Sequence, residues 1–157
     1  MRNNKWKIYL FWIGLAEAVG AIAGVLTRNK VLEYQMQIKQ PPFSPPRFLF
    51  PVVWSILYAL MGIGAARISS GNPSPRRSMG LNLFIVQLTL NFLWPLIFFN
   101  MQAYGFAIIW LSLLWILVAV MIYIFRKSDA VAAILQFPYL AWLSFALYLN
   151  IGVWLLN

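Results

Sequence analysis

The sequence predicts an all-α integral membrane protein: a bundle of five transmembrane helices forming one domain over residues 1–157. Three observations carry that prediction. Of the residues, 62% are hydrophobic and only 10% charged, with a mean hydropathy of +0.77, whereas soluble domains are about half apolar and a quarter charged. The apolar residues fall into five separate runs, each close to the ~20 residues that carry a helix across ~30 Å of hydrocarbon. The cations lie almost wholly in the gaps between those runs. A backbone in lipid must satisfy its own hydrogen bonds, and strand-like alternation is absent, so the spans read as helices and not as barrel strands.

The first span, 6–27, follows Arg2, Lys5 and Lys7 and so begins like a signal peptide. Its apolar run is too long for a signal core and contains Glu17, which makes it a true span. Ala16, Gly20 and Gly24 form a small-residue ladder that permits close helix contact, inside the protomer or between two copies. Glu17 is the one acid within a span, a costly placement that calls for protonation, a polar interior or nearby water. The second span, 47–68, sets Trp54 and Tyr58 one turn apart, with Met61 following. In the third, 80–100, Gln87, Asn91 and Trp94 share a helix face, which predicts interhelical hydrogen bonding. Pro95 there removes the N–H that would bond the Asn91 carbonyl. The short MQAY stretch at 101–104 makes the third and fourth spans (104–125) an antiparallel hairpin. The fifth, 130–156, places Tyr139, Trp142, Ala146 and Asn150 in one stripe, with Ala146 leaving room for a flat ligand between aromatic neighbours.

The absence of Cys and His removes thiolate and imidazole chemistry and the usual zinc or haem ligands, so no metal site is expected. Glu17, Glu33 and Asp129 are the only acids and are far apart in sequence, which disfavours a paired-carboxylate site. The net charge of +9 arises from cations flanking spans, so nucleic acid is not an expected partner. Eight cations fall on the amino-terminal side (Arg2, Lys5, Lys7, Arg67, Arg76, Arg77, Arg126, Lys127) and four on the other (Arg28, Lys30, Lys39, Arg47). That bias places the amino terminus inside the cell.

The stretches KQPPFSPPRFLFPVVWSILYALMG (39–62), QLTLNFLWPLIFF (87–99) and PYLAWLSFALYLNIGVWLLN (138–157) together resemble the translocator protein family, also called tryptophan-rich sensory proteins and formerly peripheral-type benzodiazepine receptors. The resemblance implies a five-helix bundle, usually a homodimer and here of bacterial type in the cell membrane. It also implies a receptor-like pocket in each subunit, closed by the first loop. The ligands it implies are porphyrins such as protoporphyrin IX, and isoquinoline carboxamide or benzodiazepine drugs, with no cofactor required. Carried over by position, Trp54, Asn91, Trp142 and Ala146 would line the pocket, with Gly24, Phe50, Tyr58 and Asn150 as further candidates. Some bacterial relatives are thought to degrade porphyrin in light, which makes Trp54 and Trp142 the candidate catalytic residues. The expected function is tetrapyrrole binding in a sensory, regulatory or trafficking role; the alternatives are light- and oxygen-dependent porphyrin breakdown and transport of porphyrin or sterol.

The first loop, 28–46, is expected to be the lid. Pro41, Pro42, Pro45 and Pro46 hold an extended, stiff backbone that loses little entropy on ordering. Phe43 and Phe48 are expected to pack the loop down, and Lys39 and Arg47 to sit near the mouth. Ser44 is expected to cap the second span with Pro45 in its first turn, and Pro51 to loosen the backbone near Trp54.

Overall fold

In the computed structural model, which describes residues 4–157, the chain forms six helices that make five spans. They are α1 (Lys5–Gln37), α2 (Leu49–Ser69), α3 (Pro75–Pro95), α4 (Tyr104–Ser128), α5 (Ala130–Ile134) and α6 (Phe137–Leu156). Five helices of this length and apolarity make it an integral membrane protein. Arg2, one of the amino-terminal cations, lies outside the described residues.

α1 is longer than the sequence reading allowed. Its 33 residues correspond to about 50 Å of helix, against ~30 Å of hydrocarbon. Residues 28–37, expected in the loop, are therefore helical, and the last turns, with Arg28, Lys30 and Glu33, project beyond the apolar core. The charges that ended the hydropathy run do not end a helix, and no proline or glycine interrupts 25–37. The first loop shrinks to 38–48.

α3 begins earlier than expected, at Pro75. Ser74 is its N-cap, accepting a 3.1 Å hydrogen bond from the Arg77 amide, and Pro75 occupies the first turn. The Arg77 guanidinium reaches back to the Ser69 carbonyl at 2.7 Å, capping the end of α2. Past Pro95 the helix loosens into a π-turn, Leu96–Asn100, before the hairpin to α4. Pro95 breaks the regular ladder, and a wider turn restores pairing.

The last span is broken. Asp129 caps α5 by accepting from the amides of Val131 and Ala132. Two residues then separate α5 from α6, because Pro138 cannot donate the bond that would continue the ladder. Arg67 grips Asp129 with two hydrogen bonds, 2.9 and 3.2 Å, tying the end of α2 to this break. Burial pushes the Asp129 carboxyl up, but the Arg67 hydrogen bond and charge and the two amides outweigh it and hold it below the usual carboxylate range.

α4 is the spine, packing on α3, α5 and α6, while α1 lies along α2 and on the π-turn. The core gathers Met61, Phe84, Leu111, Leu114, Met121, Phe125, Tyr139 and Leu143. The α1 ladder faces inward: Ala16 is buried, Gly20 seats the Tyr58 ring and Gly24 borders open space inside the bundle. At the α1–α2 crossing a Cβ on Gly62 would stand 2.5 Å from the Ile13 Cα, so the two backbones touch. Gly62→Ala must part the helices. It is expected to cost about 1–3 kcal/mol, read as a lower thermal unfolding midpoint in detergent; an unchanged midpoint would show that the crossing is not tight.

Candidate ligand-binding cavity

A cavity of about 550 Å³ opens among α1, α2, α3 and α6. α1 rests on α2 and α6 rests chiefly on α4, and the space lies between these two pairs. Three indoles line it, Trp54, Trp94 and Trp142. Trp54 tilts against Tyr58 with ring centroids 5.5 Å apart, and Phe50 meets Trp142 edge-on at 6.0 Å. Ala146 lies one turn from Trp142 on α6 and supplies the flat, small section of the wall.

The eight residues singled out from the sequence all border this cavity: Gly24, Phe50, Trp54, Tyr58, Asn91, Trp142, Ala146 and Asn150. Arg28, one of the first-loop cations, borders it too, as do Glu17, Gly20, Gln35, Phe98 and Phe99, for which the sequence had suggested no place in the pocket. Most of the missed α1 residues were legible in principle. Gly20, Gly24, Arg28 and Gln35 recur at helical spacing, a pattern hidden when the helix is ended at Thr27.

The polar side chains form a directed chain. The Gln87 amide nitrogen approaches the Met61 sulfur at 3.8 Å, and a thioether can only accept. That leaves Gln87 Oε1 to accept from the Tyr139 hydroxyl at 2.8 Å. Tyr139, having given its proton, accepts from Asn91 Nδ2 at 2.8 Å, and Asn91 Oδ1 accepts from the Tyr58 hydroxyl at 2.6 Å. α2, α3 and α6 are thereby joined through buried side chains. A second bridge runs from the Trp94 indole N–H to Asn150 Oδ1 (3.2 Å) and from Asn150 Nδ2 to the Tyr104 carbonyl (3.0 Å). Asn91 and Asn150 thus act as interhelical glue and as cavity wall at once.

Residues 38–48 are clamped to the end of α6. The Tyr148 hydroxyl donates to the Pro42 carbonyl at 2.7 Å, and Asn157 exchanges hydrogen bonds with the Lys39 backbone at 3.2 and 2.9 Å. Pro41 sits on Gly152, where a Cβ would meet it at 2.5 Å. The loop borders a second chamber of about 240 Å³, lined by Gln40, Ser44, Pro45 and Arg47, which shares Tyr34, Gln35, Arg47, Phe50 and Leu149 with the larger one.

Several details of the expected lid are corrected. Phe43 and Phe48 do not pack the loop down: they are 89% and 69% exposed. Phe43 has φ of 65°, so its side chain is carried outward at the tip. Ser44 does not cap α2 but donates to the Pro41 carbonyl at 2.7 Å inside the loop. α2 starts later, at Leu49, and Pro46 only accepts from the Leu49 amide. Pro51 falls in the first turn of α2, where a missing N–H leaves no carbonyl unpaired, so it does not loosen the backbone near Trp54. Of residues 38–48, only Arg47 borders the larger cavity.

Residues 12–155 match the TspO/MBR family. The chain belongs to that family. It is 36% identical over 146 residues to the tryptophan-rich protein TspO of Chlorobaculum tepidum, covering 92% of each chain. It is 32% identical over 155 residues to the tryptophan-rich sensory protein of Cereibacter sphaeroides, covering 99% of this chain and 94% of that one. The translocator protein of Bos taurus shares 34% identity over 137 residues, 86% of this chain and 81% of its own. The family match takes in every residue that borders the larger cavity and all of the 38–48 loop.

Two substitutions test this architecture. Tyr58→Phe strands Asn91 Oδ1 without a donor and is expected to destabilise the protein by about 1–3 kcal/mol; a stability equal to that of the parent would show that the chain is not closed. Tyr148→Phe removes one of the ties between the loop and α6, so the Ile38 and Lys39 amides, bonded to the Tyr34 carbonyl and Asn157 Oδ1, should exchange with deuterium faster while those of α4 do not change. Equal protection of the loop in both proteins would mean that Tyr148 is no clamp.

Proposed function

We propose that this protein binds porphyrin-type tetrapyrroles in the larger cavity and acts as a membrane sensor or regulator of their level. The observation that supports the reading best is the cavity itself: about 550 Å³, walled by Trp54, Trp94, Trp142 and Phe50, with a small residue, Ala146, on one side and two arginines, Arg28 and Arg47, at the loop end. A flat aromatic macrocycle gains from indole faces, and its carboxylates gain from guanidinium donors. The names of the relatives, tryptophan-rich sensory protein and translocator protein, fit a role in sensing or translocation. In this reading the amino terminus lies inside a bacterial cell membrane, an orientation that the cation bias favours, and the cavity opens toward the outer side, with residues 38–48 beside its mouth.

Titration of the purified protein with protoporphyrin IX is expected to quench tryptophan fluorescence saturably. Ala146→Phe fills the small section of wall and should weaken binding at least about tenfold, the equivalent of 1.4 kcal/mol. Equal affinity in the variant and the parent would remove the ligand from this cavity.

A further inference from the structure

The inner end of the cavity has a chemistry of its own. Glu17 and Gly20 lie one turn apart on the same face of α1, and the Tyr58 ring is seated on Gly20. Glu17 and Tyr58 both border the cavity. Among the described residues Glu17 has no hydrogen-bond or ion-pair partner within the protein. The Tyr58 hydroxyl proton is already committed: it goes to Asn91 Oδ1, at the start of the chain that runs through Tyr139 and Gln87 to the Met61 sulfur. The Tyr58 oxygen is left as an acceptor for a ligand at this end, beside the Glu17 carboxyl group. At the other end stand Arg28 and Arg47, neither of which has an acidic partner among the described residues. Glu17 and Arg28 are eleven residues apart on one helix, about 16 Å along its axis.

We propose that Glu17 and the Tyr58 oxygen form a donor-recognition subsite at the inner end of the cavity, which takes an ammonium or N–H group of an amphipathic ligand whose anionic group lies between Arg28 and Arg47. The ligand enters donor end first. The physical ground is the cost of an acidic side chain without a partner inside a span, which a ligand cation or N–H relieves and a methyl terminus does not. Charge-assisted hydrogen bonds in such surroundings are among the strongest available to a binding site. The proposal rests on the reading of the cavity as a ligand site, and it specifies which end of the ligand lies where.

The test uses the whole protein in lipid nanodiscs with two probes that differ only at one terminus, ω-aminolaurate and laurate, their affinities read from the shift in unfolding temperature. Parent protein is expected to prefer ω-aminolaurate at least about tenfold. The preference should shrink in Glu17→Gln, which keeps an acceptor without charge, and vanish in Glu17→Leu. Saturable quenching by protoporphyrin IX, measured on the same samples, reports whether the cavity is intact and tests the tetrapyrrole reading separately. Absence of a preference in the parent, or an equal preference in Glu17→Leu, overturns the subsite even where porphyrin binds. A Glu17-dependent preference without porphyrin quenching upholds the subsite and overturns the tetrapyrrole reading instead.

Discussion

The structure depends on one chain of buried hydrogen bonds, from Tyr58 through Asn91 and Tyr139 to Gln87 and Met61. In hydrocarbon no water can repair a broken link, so each group must find its partner within the protein. Interhelical hydrogen bonds in membranes are individually modest, on average ~0.6 kcal/mol in measured cases, while a buried group left unpaired costs about 1–3 kcal/mol. The chain therefore works less by the strength of its bonds than by penalising every arrangement of α2, α3 and α6 that breaks them. Met61 gives it a direction, because sulfur at the far end offers no proton.

That direction links packing to chemistry. With α2, α3 and α6 tied on the core side, α1 is held by close backbone contact with α2 at Gly62 and by the seating of Tyr58 on Gly20. Small residues bring α1 near enough to enclose a space but do not fill it, and Gly24, where a Cβ would meet nothing within 4 Å, marks the opening. The indoles then divide their work. Trp94 and Trp110 give their N–H groups to Asn150 and the Leu90 carbonyl and brace the wall, while Trp54 and Trp142 line the cavity with their rings against Tyr58 and Phe50.

The proline-rich loop illustrates how local stiffness becomes position. The doublets Pro41-Pro42 and Pro45-Pro46 limit the backbone before any contact is made. Contacts to the end of α6, through Tyr148, Gly152 and Asn157, then choose where the stiff segment lies. Phe43 and Phe48 are left facing outward, as are Trp6 and Trp154 at the ends of the bundle, an arrangement suited to the headgroup region, where aromatic side chains are at home.

Much of this was legible from the chain alone. Length and apolarity of the five runs determined the spans, because the bilayer dictates how many residues cross it. The shared helix face of Gln87, Asn91 and Trp94 announced interhelical bonding, and the stripe through Trp142, Ala146 and Asn150 marked one wall of the cavity. What the sequence could not determine was everything set by partners distant along the chain. The ten residues that extend α1 read as loop, because hydropathy registers the edge of the membrane and not the end of a helix. Glu17 could be recognised as costly, but only the packing of α1 on α2 brings it to the cavity beside Tyr58. The aromatic residues of the first loop were expected to pack the loop down because apolar groups usually turn inward, and that preference loses its force at a membrane interface, where aromatic side chains are at home. The spans follow from a solvent that every residue meets alike, whereas the cavity follows from hydrogen bonds and close contacts between residues 26 to 118 positions apart, which only the folded chain brings together.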